Sequence, residues 1–358
     1  MVKGINGAKD FAAGIIRFPQ LHSSTKDLIA IDNVKIYYSD VNYECAHNYV
    51  NDTCTWCGKV EHVTHCDICD GEVLSAGAAV VGKSVSLGEL IDMNVYMALN
   101  ARLAGTEDAK VVLTAGDRTA EYALKDAVKT ADGKYKFSIA LRSIDMAKDV
   151  VVSIVGEEAT TYTTSIKAYA EGLIDITDNA KEAALAKALL NYGAYAQTYF
   201  AEKNGDENLL KLLANDGLSA SDKALAAIPE GALDAYAFVT EGATEDVALT
   251  SMALILSSKT YVKVYFTASE AATVTVNGQK LTKTAEGDEY YVIFTVANPA
   301  DADRAANIVV TDGNTVASAS ISALTAVANG VGNTTAKLSN LLAAYYAFYE
   351  CAEAYVAK

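Results

Sequence analysis

The chain has 358 residues, 51% of them apolar, and a formal charge of −16 with a pI near 4.7. That length and apolar content supply cores for two or three domains, while the negative charge argues against a phosphate backbone or an anionic bilayer as partner. No apolar run approaches the ~18 residues that a spanning helix needs, and the opening Met1-Val2-Lys3-Gly4-Ile5-Asn6-Gly7 lacks the apolar segment of a secretory signal.

Residues 1–42 hold two or three short apolar runs and a break at Pro19, too little for a complete domain. Within them Ile31-Asp32-Asn33-Val34-Lys35-Ile36-Tyr37-Tyr38 alternates as a strand should. It resembles the last strand of concanavalin-like and laminin-G-like jelly rolls, which would make 1–42 the remnant of an upstream β module. A short hairpin docked on the next module is the other reading. Residues 43–72 carry a Cys/His segment, and Gly71 to Lys83 reads as a small-residue linker.

From residue 80 onward short strands alternate with turns. Leu87–Leu103, Ala109–Thr114, Thr119–Leu124, Tyr135–Leu141 and Val150–Val155 are expected as strands, with Ala115-Gly116-Asp117 and Ala131-Asp132-Gly133 as turns. Such a run suggests a small antiparallel sandwich. A helical stretch follows from Ser165 to about Phe200, broken at Asp175–Asn179 with Asp178 as the expected cap. Leu185, Leu189, Tyr192, Ala196 and Tyr199 fall on one helix face, which is expected to pack on its own sheet.

The second half repeats the first at a spacing of about 155 residues, far longer than the ~20–50 of a solenoid, so a whole domain is duplicated. Residues 131–139 are answered by 286–294, Ser153-Ile154-Val155 by Ile308-Val309-Val310, and Ser165-Ile166 by Ser320-Ile321. One inserted residue later, Leu185, Tyr192, Ala196 and Tyr199 fall on Leu341, Phe348, Ala352 and Tyr355, and Cys351 takes the place of Tyr195. Strands are expected near Val247–Leu256, Tyr261–Thr267, Ala272–Val276, Tyr290–Val296 and Asn307–Thr311, then a helix over Thr334–Ala357. The fold class is therefore mixed β and α and multi-domain: two related small antiparallel β-sandwich domains, each followed by a packed helical segment, behind an N-terminal metal-clipped Cys/His segment. The domains read 1–42, 43–72, 80–204, a helical linker 205–232, and 233–358.

Leu87-Gly88-Glu89-Leu90-Ile91-Asp92-Met93-Asn94-Val95-Tyr96-Met97, followed by Ala188-Leu189-Leu190-Asn191-Tyr192-Gly193-Ala194-Tyr195-Ala196-Gln197, resembles a module of large surface proteins from anaerobic gut and rumen Firmicutes. Those proteins show "LGGDIGMNFYM" and "LVKALLNYGAYAQ" in that order, often beside sugar-binding, leucine-rich-repeat or dockerin modules. Lys263-Val264-Tyr265-Phe266-Thr267 resembles the strands of the module's usual partner. Leu90 departs from the usual Asp. The resemblance covers roughly residues 80–358 and implies a cell-surface setting rather than a chemistry.

Chemistry concentrates in Cys45-x-His47, Cys54-x2-Cys57, His62-x2-His65 and Cys66-x2-Cys69. Thiolates and imidazoles at these spacings suit tetrahedral Zn²⁺. Either Cys45, His47, Cys54 and Cys57 hold one ion and His62, His65, Cys66 and Cys69 another, or Cys54, Cys57, Cys66 and Cys69 form a single four-sulfur site. The stretch from Cys45 to Gly58 resembles a "CTHNYVNGVCTVCG" mini-motif of the same surface proteins, which favours the first set. Four protein ligands close a structural site, whereas a catalytic one keeps a position open. Disulfides in an oxidising exterior are the competing reading, with Cys351 left over. Trp56 between Cys54 and Cys57 is expected to cap this small core.

Elsewhere catalytic signatures are missing. His22 is the only other His, so the repeats cannot assemble a Ser-His-Asp or Cys-His pair, and no nucleophile elbow, P-loop or dinucleotide fingerprint occurs. Asp132-Gly133 and Asp312-Gly313 read as turns, not calcium loops. The expected function is thus a non-catalytic spacer or adhesion module, part of a longer secreted protein, with a glycan or another surface protein as partner and zinc as structural cofactor. The alternative is an accessory region of a larger carbohydrate-active enzyme whose catalytic domain lies outside this chain. A catalytic or redox role for the Cys/His cluster is a third reading.

Overall fold

A computed structural model describes residues 49–50, 53–54, 71–75, 77–257, 259–296, 298–331 and 334–357. The expected remnant strand at 1–42, His22, Trp56 and most of the Cys/His segment lie outside the described residues. Within that segment, β1 (Tyr49–Val50) pairs antiparallel with β2 (Thr53–Cys54), setting Tyr49 opposite Cys54.

The first repeat builds two antiparallel sheets. One runs β3 (Glu72–Ser75), β4 (Ala78–Leu87), β5 (Ile91–Leu99) and β8 (Tyr135–Leu141), with β6 (Lys110–Ala115) and β7 (Arg118–Ala123) intervening in sequence but not in that sheet. The other has the order β10-β9-β6-β7, where β9 is Val150–Val155 and β10 is Tyr162–Thr164. Alternation decides which side is inward: Met93, Val95 and Met97 of β5 and Phe137 and Ile139 of β8 meet Val111, Leu113 and Val152 in one core. Gly116 and Gly133 adopt positive φ (61° and 84°) in the two expected turns.

Two expectations are corrected here. Gly71 to Lys83 is not a linker but supplies β3 and most of β4, and Ala78 and Ala79 are wholly buried there. The strand expected over Leu87–Leu103 turns back at its start and ends at Leu99, where Asn100 caps a one-turn helix α1 (Ala101–Ala104) through its side chain.

The first repeat closes with α2 (Ile166–Ile176), capped by Ser165, and α3 (Ala180–Asn204). The cap of α3 is Asn179, not Asp178: its side chain accepts from the Lys181 and Glu182 amides. Gly205 ends it in a left-handed conformation. Residues 207–236 follow as short one-turn pieces, including α4 (Ala220–Lys223).

The second repeat has the same plan. Its sheets have the orders β12-β13-β17-β16 and β11-β19-β18-β14-β15. The strands are β11 (Thr240–Glu241), β12 (Ala248–Leu256), β13 (Thr260–Thr267), β14 (Thr273–Val276), β15 (Gln279–Leu281), β16 (Thr284–Glu286), β17 (Glu289–Thr295), β18 (Ala306–Asp312) and β19 (Thr315–Ile321). Helices α5 (Ala323–Gly330) and α6 (Ala336–Val356) close it. Both repeats carry a one-residue irregularity at one place, between Val80 and Gly82 opposite Met97-Tyr96, and between Leu249 and Ser251 opposite Phe266-Tyr265. These bulges fix the residue correspondence of the two sheets. At the helix caps the correspondence shifts by two from expectation: Ser322, with a full capping box to Thr325, and not Ser320, plays the part of Ser165.

The two repeats belong to one compact unit, joined through their long helices. Lys181 Nζ near the start of α3 donates to the Ala357 carbonyl at 3.1 Å, and Lys337 near the start of α6 pairs with Glu202 near the end of α3, so the helices run antiparallel. At their crossing Tyr192 stacks on Phe348, centroids 5.4 Å apart and planes 9° from parallel. These two residues correspond in the repeat. Like meeting like is the signature of an isologous, two-fold contact, here within a single chain. The expectation that this helix face packs on its own sheet is corrected: it meets the other repeat's helix.

The Asn191-to-Gln197 stretch is explained by what it touches. Gly193 lies so close to the turn between β8 and β9 that an added Cβ would stand 2.7 Å from Met146 Sδ. Asn191 donates to the Asp222 carbonyl and accepts from Asn215, while Gln197 donates to the Leu212 carbonyl and accepts from the Ala214 amide. The motif therefore fastens the connector onto α3. Among the described residues no helix is long and apolar enough to cross a membrane.

Candidate functional site on the outer sheet faces

Of the expected metal ligands, Cys45, His47, Cys57, His62, His65, Cys66 and Cys69 lie outside the described residues, and only the backbone of Cys54 is described, in β2. Among the described residues no group of His, Cys, Asp or Glu is placed to hold a metal ion. Cys351 is half-buried against the core, and burial, then Glu350, raises its thiol above the ordinary value.

The two repeats share a core but not their outward surfaces. In the sheet β3-β4-β5-β8 the side turned from the core is polar. Asn94, wholly buried, donates to Ser84 Oγ at 3.1 Å and Ser86 Oγ at 2.7 Å, and accepts from Ser138 Oγ at 2.7 Å. Partial burial raises the Asp92 carboxyl above its ordinary value, and Lys136 opposes that shift. Every donor and acceptor of Asn94 but one lone pair is thus engaged inside the sheet, which makes this a closed network.

In the second repeat the register places Tyr261, Lys263 and Tyr265 of β13 where Asp92, Asn94 and Tyr96 stand in β5. Ala253 and Ile255 replace Ser84 and Ser86, and Tyr291 and Ile293 replace Lys136 and Ser138. A hydroxyl and amide network has become an aromatic and aliphatic surface. Tyr265 and Tyr291 have ring centroids 5.9 Å apart, and Lys263 Nζ lies 4.5 Å and 3.8 Å from those two centroids. Glu286 of β16 pairs with Lys263 and accepts from the Tyr265 hydroxyl at 3.4 Å. Burial works against the Lys263 charge, but its hydrogen bonds with Glu286 and Tyr265 outweigh that and hold the ammonium above its ordinary value.

Tyr261, Tyr265 and Tyr291 are half-buried, Ile293 is 39% exposed, and Glu286 is exposed. Chemically the patch offers apolar ring and aliphatic surface interrupted by one ammonium, one carboxylate and phenolic hydroxyls. Sequence reading missed it because Tyr261, Lys263 and Tyr265 alternate with Val262, Val264 and Phe266 as in an ordinary half-buried strand; comparing the repeats strand by strand would have exposed the change.

A second charge cluster is structural. Asp145, with no side-chain exposure, receives Arg142 at both oxygens, Lys148 at 2.7 Å, and Arg118 at 3.8 Å. Through Arg118 it ties β7 to the turn at residues 143–146 beneath Gly193.

No family model and no curated protein matches the chain. Among solved structures the chain is similar to a chimeric titin Z1Z2-Z1Z2 tandem functionalized with a GRGDS exogenous peptide from fibronectin, at 8% identity and a TM-score of 0.17, covering 68% of this chain and 97% of that one. A likeness of that size carries no argument.

Proposed function

We propose that the chain is a non-catalytic extracellular or cell-surface segment of a longer secreted protein, acting as spacer and adhesion module. In this reading the two repeats are related sandwich-plus-helix domains, locked together through α3 and α6, and the adhesive surface is the outer face of β12-β13-β17-β16. The observation that carries it is the contrast between the repeats. Two copies with one plan differ on that face, where a closed polar network in one has become tyrosines, isoleucine and a lysine in the other. Tyrosine rings with a polar tip and neighbouring hydrogen-bonding charges suit a glycan or a surface protein as partner.

The Cys/His segment in this reading is a structural zinc clip. Its donor set fits zinc by type and number, with Cys45, His47, Cys54 and Cys57 as one closed set and His62, His65, Cys66 and Cys69 as the other, and the ion would supply the folding free energy that so few apolar residues cannot.

The test is binding of the whole chain to arrayed glycans and purified surface proteins, beside a Tyr265→Ala/Tyr291→Ala double variant with an unchanged melting profile. Retention by at least one ligand class and its loss in the double variant is the expected outcome. No binding by the wild type, or equal binding by both, would refute the reading.

A further inference from the structure

Between the long helices and the first sandwich lies a cleft of about 250 Å³, against the ~10–15 Å³ that a single water needs. Leu173, Leu185, Ala186 and Leu189 line it from the first repeat and Pro299 from the second. Four polar side chains gather at it: Glu182, Tyr169, Tyr355 and Asn298, whose amide already donates to Asp301. Burial first, then Glu182 and Tyr355, raise the Tyr169 phenol above its ordinary value, so the first three groups lie within electrostatic reach. Glu182 accepts a hydrogen bond from the Thr177 hydroxyl at 2.6 Å, and among the described residues no Lys or Arg pairs with it.

The duplication provides an internal comparison. In the helix correspondence set by Leu185 with Leu341 and Tyr192 with Phe348, Ala186 and Leu189 answer to Leu342 and Tyr345, and Glu182 to Leu338. Leu342 and Tyr345 are 5% and 2% exposed, and Ala186 and Leu189 are as well buried at 5% and 3%, so the positions differ in side-chain size and not in exposure. The second repeat carries the larger side chains at these positions, whereas the first carries smaller ones along a cleft, with a carboxylate where its counterpart has an alkyl chain. Unfilled apolar space and a half-buried, unpaired carboxylate each cost stability. Both fall at one place, beside α3.

We propose that this cleft binds a small organic monocation, its ammonium or guanidinium head against the Glu182 carboxylate beside Tyr169 and Tyr355 and its apolar stem along Leu173, Ala186 and Leu189. The charge complements Glu182 on a chain that is already strongly acidic, the stem matches the walls, and the phenols add cation–π attraction. The site is separate from the tyrosine face of β12-β13-β17-β16 and does not depend on it.

Calorimetric titration of the whole chain with n-hexylammonium, and with hexanoate and 1-hexanol of the same stem length, tests it. Hexylammonium is expected to bind, hexanoate not, and hexanol more weakly than the amine. Glu182→Gln keeps the acceptor for Thr177 and should weaken hexylammonium about tenfold, the worth of a charge-assisted over a neutral hydrogen bond. Ala186→Leu writes the counterpart residue into the cleft and should abolish binding of hexylammonium and hexanol alike. Failure of the wild type to bind hexylammonium, equal affinity for hexanol, or unchanged affinity in Glu182→Gln overturns the proposal; should Ala186→Leu fail to fold, the Glu182→Gln titration decides alone.

Discussion

Truncating Phe348 to alanine should cost about 3–5 kcal/mol of folding free energy, the range for a buried phenylalanine. The ring is 1% exposed and stacked on Tyr192. An aromatic side chain buries about 150–250 Å², which at ~25 cal/mol/Å² gives about 4–6 kcal/mol as an upper bound. Alanine keeps the Cβ, so the loss falls somewhat below that bound. Because the ring bridges the two repeats, the effect should extend beyond local packing. Wild-type protein is expected to unfold in urea with far-UV and near-UV dichroism transitions coincident for the two repeats, and the variant to separate them. A double-mutant cycle with Tyr192→Ala should return a coupling of about 0.5–3 kcal/mol, as for residues in contact. A Phe348→Ala cost under about 1 kcal/mol, far below the usual range, together with strict additivity in the cycle, would refute the two-fold contact.

Asp145→Asn leaves Arg118, Arg142 and Lys148 around a neutral amide; the expected loss is about 3 kcal/mol, the low end for breaking a buried pair since the cations keep some access to water. Burial pushes the Asp145 carboxyl up, but hydrogen bonds from Arg142 and Lys148 prevail and hold it below the ordinary value. A depressed carboxylate gives stability that is present above its unfolded value, about 3.9, and is lost as pH falls through its folded value. Melting temperature should therefore fall on acidification below about pH 4 more steeply in the wild type than in the variant, and equal slopes would count against this. Gly193→Val should displace α3 from Met146 and lower the melting temperature, whereas Gly172→Ala, with nothing within 4 Å of its Cβ position, should leave it unchanged or raise it. Elemental mass spectrometry with thiol titration should find one or two zinc ions per chain and thiols released by chelator; no metal and no free thiol beyond Cys351 would replace the clip with disulfides.

Strands bounded by turns were legible wherever inward and outward residues differ in polarity, as in Tyr135–Leu141, whose pattern alternates buried with more exposed positions. Gly71–Lys83 was not, because Ala78-Ala79 packs inside a sheet while carrying the small side chains typical of a connector. The Asn277-Gly278 turn that creates β15 was a signal available and passed over: both residues have positive φ, 51° and 79°. For the helices, a stripe of Leu185, Leu189, Tyr192 and Ala196 announces burial but not against what. That required the second repeat to be placed beside the first. The tyrosine face needed more still, since only the register sets Tyr291 beside Tyr265, and the pairing of β16 with β17 brings Glu286 to them.

The antiparallel meeting of α3 and α6 has the geometry of a dimer whose subunits have been strung on one chain. A true homodimer must repeat at each of its two equivalent positions whatever a single coding sequence dictates, so a pocket gained on one side is gained on both, and so is its cost. Covalent joining removes that obligation. Here one flank carries Leu342 and Tyr345 where the other carries Ala186 and Leu189 beside Glu182, and one sheet face turned aromatic while its twin kept a closed polar network.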